Sequence, residues 1–185
     1  MKHILFSTLI LATALLFCSY TYSQTTNQPA SNQDTRGYIV KVGDMVPQFD
    51  LQLLNGEKVS MSSLKGKVIM LQFTASWCSV CRKEMPFIEK DIWLKLKSNP
   101  QFALYAIDFK EDAQKTEKFA SSIPITYPIT LDLNGEIFNL FCTPGAGVTR
   151  NIIIDRTGKI IMLTRLYDEK EFSQMVELIN KEITK

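Results

Sequence analysis

The strongest constraint on this chain is a nearly uninterrupted apolar run, Val68-Ile69-Met70-Leu71-Gln72-Phe73, which leads through a short segment into Cys78-Ser79-Val80-Cys81. A run of this kind is a strand covered on both faces, and it belongs in the middle of a mixed or parallel sheet. Val80, Glu84, Phe87, Ile88, Ile92 and Leu96 then recur at helical spacing from about Ser79 to Lys97, and Ser98-Asn99-Pro100 stops the pattern. Pro86 lies inside that stretch and predicts a kink or a lost hydrogen bond. The two cysteines therefore stand where a buried strand turns into a helix.

The remaining elements surround this unit. Phe49-Asp50-Leu51-Gln52-Leu53 alternates with period two, Asn55-Gly56 is a hairpin turn signal, and Lys58-Val59-Ser60-Met61 returns. Phe102 to Ile107 reads as a second buried strand, Asp112 as the cap of a helix through about Ser121, and Leu133 to Phe141 as a segment holding a short helix from near Asn134. Asn151 to Asp155 is a third strand, turned by Arg156-Thr157-Gly158-Lys159 into Ile160 to Arg165, and Asp168 opens a last amphipathic helix through Phe172, Met175, Val176 and Ile179. The order ββ, β, α, β, α, α, ββ, α implies an α/β domain of three layers around a central sheet, made mixed by the terminal hairpin.

The N-terminus reads differently. Met1-Lys2-His3 precedes an apolar run from Ile4 to Phe17, followed by Thr21-Tyr22-Ser23 as a small-residue cleavage site, which makes residues 1–23 a secretory signal peptide. The run is too short and too interrupted by Ser7, Thr8 and Thr13 for a membrane anchor of about 20 apolar residues. A lipid anchor on Cys18 is disfavoured by the large Phe17 before it. Residues 24–37 are polar and read as a flexible linker to a domain at 38–185, placed across the inner membrane in the periplasm.

Cleavage would leave Cys78, Cys81 and Cys142 and no histidine, which excludes Ser-His-Asp and Cys-His nucleophiles and His-ligated metal sites. With 21 Lys+Arg against 19 Asp+Glu, the chain also lacks the basic footprint of a nucleic-acid binder. Neither a metal nor a cofactor is expected.

A Cys-x-x-Cys pair at a strand-to-helix junction has a specific chemistry. Two intervening residues bring the sulfurs within disulfide reach, and the free N–H groups of the helix start stabilise a thiolate. Cys78 would be the exposed nucleophile and Cys81, further in, the resolving thiol. A zinc half-site would need ligands that the chain lacks, and a structural disulfide closing so short a loop would add little stability.

The sequence resembles the thioredoxin superfamily and, within it, the extracytoplasmic TlpA/ResA-like thiol-disulfide oxidoreductases. The resemblance runs over residues 40 to 183: Gly43-Asp44-Met45-Val46-Pro47-Gln48-Phe49, Leu64-Lys65-Gly66-Lys67, the core Trp77-Cys78-x-x-Cys81-x-x-Glu84-x-Pro86, and Ile154-Asp155-x-x-Gly158. It implies a thioredoxin-like three-layer sandwich with a central mixed sheet and an added N-terminal β-hairpin. It also implies Cys78 as attacking thiol, Cys81 as resolving thiol, Trp77 as part of the substrate surface and Glu84 as a proton-handling carboxylate. The other reading of Glu84 is a solvated residue on the helix surface. Implied partners are protein disulfides, among them apocytochrome c or other periplasmic thiol proteins, and a membrane-bound electron donor.

Departures from the pattern are equally specific. Gln72 stands where cytosolic thioredoxins keep a buried Asp, and Thr149, after Val148, replaces the cis-proline of the substrate-binding loop. A cis bond is not expected without proline, so Thr149 would instead offer a hydroxyl, or admit a metal or water, near the sulfurs. Ser79-Val80 also lacks the usual proline. Cys142 is expected to be buried, the other reading being a second redox partner near the pair. Asp108 and Asp155 sit at strand ends, where catalytic residues often project but where capping and turn formation explain them as well. Trp93 is expected to pack in the core rather than form a binding platform. Two competing functions are a peroxiredoxin-like peroxidase and a non-catalytic binding domain. The first lacks the threonine three residues before the reactive cysteine, since Ala75 precedes Cys78 at that distance and Cys78 itself precedes Cys81.

Overall fold

The computed structural model describes residues 36–185, all within the compact unit Asn32–Lys185. The signal peptide expected at 1–23 and the part of the expected linker through residue 35 lie outside the described residues. At the described end, Arg36 donates to the Leu163 carbonyl at 2.8 Å and pairs with Glu171, and the Gly37 carbonyl accepts the Thr143 N–H at 3.0 Å.

The strands are β1 (Asp50–Leu53), β2 (Lys58–Ser60), β3 (Val68–Thr74), β4 (Phe102–Phe109), β5 (Ile129–Asp132), β6 (Arg150–Ile154) and β7 (Ile160–Leu163). They form one mixed sheet in the order β2-β1-β5-β4-β3-β6-β7. The β3–β4 and β4–β5 pairs run parallel, while β1–β2, β1–β5, β3–β6 and β6–β7 run antiparallel. Every residue of β3 is buried, as its apolar run requires of a strand with neighbours on both edges and helices on both faces.

The helices are α1 (Ser79–Ile88), α2 (Leu94–Leu96), α3 (Ala113–Ser121), α4 (Glu136–Asn139) and α5 (Glu169–Ile183). The predicted long helix is present but interrupted: Pro86 lies in α1, and a π turn over Glu89–Trp93 separates α1 from α2. Pro86 removes one ladder donor, and a π turn is a usual way for a helix to absorb such a fault. The expected caps form, with Asp112 accepting the Lys115 N–H and Asp168 the Glu171 N–H, each at 2.8 Å. Arg82 of α1 lies over the Phe119 ring of α3, and Phe87 of α1 meets Phe172 of α5, which gathers these three helices on one face of the sheet. On the opposite face Phe138 of α4 packs edge-on against Phe73 of β3, with ring centroids 5.1 Å apart, and also meets Phe109.

One element escapes the sequence pattern. The β5 strand is absent from the predicted order, which runs from one helix directly to the next. It is four residues long and fully buried, yet two of the four, Thr130 and Asp132, are polar. Both are satisfied by tertiary contacts: Thr130 donates to the Ala106 carbonyl at 2.9 Å, and Asp132 accepts the N–H groups of Ile137 and Phe138 at the start of α4. Alternation of this kind reads as half-exposed when the partners are distant in sequence. Through β5 the β1–β2 hairpin joins the sheet edge.

The Phe138 ring fills the space between β3, β4 and α4, so Phe138→Ala should cost about 3–5 kcal/mol of unfolding free energy. Urea denaturation of the two proteins measures it. A loss under about 1 kcal/mol would show that this face is not a packed core.

Candidate active site

The site is built where β3 ends and α1 begins. Ala75-Ser76-Trp77 turns the chain, with the Cys78 N–H donating to the Ala75 carbonyl at 3.0 Å, and Cys78 becomes the N-cap of α1. In that position its Sγ accepts the Cys81 N–H at 3.1 Å. An N-cap normally places an oxygen there; here sulfur takes the bond, at the positive end of the helix dipole. Cys78 and Cys81 are joined as a disulfide with Cα atoms 5.3 Å apart. Their burial is unequal: Cys78 keeps 7% of its surface and Cys81 none, while the neighbouring Trp77 is 62% exposed. One sulfur is at the rim beside an exposed aromatic ring, and the other is behind it, 3.9 Å from the Phe73 carbonyl.

Thr149 faces both sulfurs. Its Oγ1 lies 3.2 Å from Cys78 Sγ and 3.4 Å from Cys81 Sγ. The Val148–Thr149 peptide is trans, as expected without proline, and the Thr149 carbonyl accepts the Leu166 N–H at 3.0 Å. Val148 is buried.

Glu84 is not a solvated surface residue: it is 2% exposed. The register of the sheet explains what it meets. Gln72 of β3 stands opposite Asn151 of β6, and both side chains turn toward α1. Asn151 Nδ2 donates to Glu84 Oε1 at 2.7 Å, Gln72 Nε2 approaches Glu84 Oε2 at 3.5 Å, and the Tyr127 hydroxyl donates to Gln72 Oε1 at 2.9 Å. Asn151 also donates to Thr164 Oγ1 at 2.9 Å. Burial lifts the Glu84 carboxyl to about 7, against the opposing hydrogen bonds from Asn151 and Gln72. A carboxyl near neutrality can give or take a proton at the pH of the surroundings. Gln72, in place of an Asp, holds this carboxyl rather than ionising.

A second carboxylate supports the turn. Glu111 Oε2 accepts the Ser76 N–H at 2.6 Å, and its Oε1 accepts the Ser76 hydroxyl at 2.7 Å. Asp108 is fully buried beside it and bonded by the Thr116 hydroxyl at 2.6 Å, so it is more than a strand-end cap. Asp155 does form a turn, accepting from Thr157 and Lys159. Trp93 is partly buried, edge-on to Tyr127, and its Nε1–H donates to Thr126. Cys142 is a buried free thiol, pushed up to about 12 by burial against a weaker opposing effect of Arg150.

The Redoxin family model matches residues 41–179, which is most of the chain and all of the site. The chain belongs to the Redoxin family. Among relatives of this Redoxin-family chain, the thiol-disulfide oxidoreductase ResA of Geobacillus thermodenitrificans is 28% identical over 151 residues, covering 80% of this chain and 84% of ResA. The thioredoxin-like protein YneN of Bacillus subtilis is 39% identical over 100 residues, 52% of this chain and 56% of YneN, so that match spans just over half of the relative. A solution structure of a candidate protein disulfide isomerase from Bacteroides thetaiotaomicron superposes with a TM-score of 0.79 at 56% identity, covering 80% of this chain and 94% of the other. With its Cys78–Cys81 pair, the chain is a ResA-like thiol-disulfide oxidoreductase of the thioredoxin superfamily.

Asn151, Tyr127, Thr164 and Glu111 were not singled out from sequence. Asn151 carried a readable signal, because an amide at the head of Ile152-Ile153-Ile154 in a buried strand must have a buried partner. The others come from segments distant in sequence.

Because the Glu84 carboxyl is lifted to about 7 on folding, the folded state holds a proton that the unfolded state releases above its ordinary carboxylate range. The stability tied to this proton is full at lower pH and is lost as pH rises through about 7. In Glu84→Gln a component on the order of 3 kcal/mol should vanish from the pH dependence of unfolding between pH 4.5 and 8, as read by urea denaturation at each pH. An unchanged profile would mean that Glu84 ionises freely in the fold. Thr149→Val should leave the fold intact and raise the pH at which reduced Cys78 reacts with iodoacetamide by about half a unit or more, because a hydroxyl donor to the thiolate is lost. No shift would remove Thr149 from the sulfur environment.

Proposed function

We propose that this protein reduces disulfides of extracytoplasmic protein substrates, with Cys78 as the attacking thiol, Cys81 as the resolving thiol and Glu84 handling the proton of Cys81. The observation that carries this is the asymmetry of the pair: Cys78, at the helix start, receives the Cys81 N–H and keeps some exposure, while Cys81 is fully enclosed, three residues before a buried carboxyl.

The steps balance. The Cys78 thiolate attacks one sulfur of the substrate disulfide, a mixed disulfide forms, and the other substrate sulfur leaves as a thiolate that takes up a proton. Cys81 then gives its proton to Glu84, and the Cys81 thiolate attacks the Cys78 sulfur. The second substrate sulfur leaves Cys78 as a thiolate and takes up the proton that Glu84 releases, so the substrate departs as a dithiol and the Cys78–Cys81 disulfide remains, two electrons having passed to the substrate. Thr149 Oγ1, within reach of both sulfurs, donates to whichever carries the charge. Trp77 and the backbone of Val148–Thr149 offer the surface on which the substrate strand lies beside Cys78.

The likeness to the thiol-disulfide oxidoreductase ResA supports the exchange chemistry, and the signal peptide read at residues 1–23 would deliver the domain to the periplasm; the reductive direction is what the potential of the couple tests. A compartment without a thiol buffer requires that the Cys78–Cys81 disulfide be re-reduced by a dithiol donor in the membrane. Apocytochrome c, whose cysteines must be reduced before haem attachment, fits the substrate class.

In a mixture with a disulfide-bonded protein, Cys81→Ser should accumulate a covalent mixed disulfide through Cys78, and Cys78→Ser should accumulate none and lose reductase activity. Equilibration in defined thiol buffers should place the couple nearer about −270 mV than about −120 mV. A value at the oxidising end would reverse the direction, and activity surviving in Cys78→Ser would end the redox assignment.

A further inference from the structure

The steps above leave one buried ionisable cluster unused. Asp108, near the end of β4, stands in register with Thr74, the last residue of β3, directly behind the turn to α1. Its Oδ2 accepts from Thr116, while its buried Oδ1 meets no donor. The Glu111 carboxylate, also buried, interacts directly with the Asp108 carboxyl and is bonded to the N–H and hydroxyl of Ser76 and to Lys115. Arg82 Nε donates to the Ser76 carbonyl at 2.8 Å from the other side. Ser76 is thus gripped immediately before Trp77 and Cys78.

We propose that Asp108 and Glu111 form a carboxyl pair that holds one proton, and that this proton keeps Glu111 bonded to Ser76 and so positions the Trp77–Cys78 turn. A carboxylate facing a carboxylate presents only acceptors, and the buried Oδ1 of Asp108 is satisfied only when a proton lies between the two groups. The charges in contact with the pair are few: Lys115 from α3, largely exposed, supplies one positive charge, and Arg82 of α1 is directed at the Ser76 carbonyl. One cation balances one carboxylate, not two. The electrostatics agree, since burial and then the Glu111 charge lift Asp108 to about 7, whereas Lys115 and Ser76 together hold Glu111 low despite its burial. Asp108 and Glu111 are positioning residues here; neither touches the sulfurs.

The assignment deepens the redox reading and takes its significance from it, but its test needs no turnover. In oxidised full-length protein the cysteines of the pair do not titrate. The backbone amide resonance of Ser76, whose N–H points at Glu111, should shift with pH with a midpoint near 7 as the pair loses its proton. Asp108→Asn, which keeps the shape and offers a permanent donor to Glu111, should fold as judged by its thermal transition and lose that inflection. Glu84→Gln, which removes the other carboxyl near neutrality, should retain it. A flat Ser76 titration in the unmodified protein, an inflection surviving in Asp108→Asn, or its loss in Glu84→Gln would each overturn the pair. If the titration behaves as expected while the protein fails to reduce disulfides, the function falls and the carboxyl pair stands.

Discussion

The register in which β3 lies between β4 and β6 fixes the rest of the site. Pairing Gln72 with Asn151 on one side and Thr74 with Asp108 on the other decides which polar groups stand under α1 and which stand behind the turn. Side chains on a strand alternate between faces, so a slip by one residue would exchange Gln72 for Phe73 beneath Glu84 and bury a carboxyl against a ring. The residues of β3 hold that register by being needed on both faces at once: Phe73 meets Phe138 and Phe141 on one side, and the Thr74 hydroxyl donates to the Met85 sulfur on the other.

From that scaffold the two ends of the chemistry separate. At the rim, Cys78 caps a helix with sulfur and is flanked by an exposed Trp77 and the hydroxyl of Thr149. Underneath, Glu84 is enclosed by amides that can hold it in either protonation state, because Gln72 and Asn151 carry acceptors as well as donors. Two carboxyls, Glu84 and Asp108, are lifted toward neutrality by burial on opposite sides of one turn. Such groups oppose folding as pH rises, and a carboxyl poised near neutrality is what proton movement accompanying sulfur exchange would require.

Much of this was legible in the sequence. The central strand, the hairpin signal at Asn55-Gly56, the caps at Asp112 and Asp168 and the Cys-x-x-Cys junction are local patterns with local physical causes. What was not legible depends on partners far along the chain. The strand β5 hides because Thr130 and Asp132 look like exposed positions until Ala106 and the start of α4 satisfy them. The burial of Glu84 could not be read from its helical spacing, since Asn151 and Gln72 reach it only through sheet pairing. Replacement of the usual proline by Thr149 was readable as an absence, but its hydroxyl contact with both sulfurs required the structure.

The two sulfurs are chemically unequal, and alkylation of the reduced protein measures that inequality. Treating the reduced chain with iodoacetamide over a range of pH, followed by peptide mapping, gives a rate for each cysteine. Modification is expected at Cys78 alone, with a rate that reaches half its maximum below the free-thiol value of about 8.5, while Cys81 and the buried Cys142 stay unmodified until the protein unfolds. Modification of Cys81 before Cys78, or a Cys78 rate that rises only above that value, would contradict it.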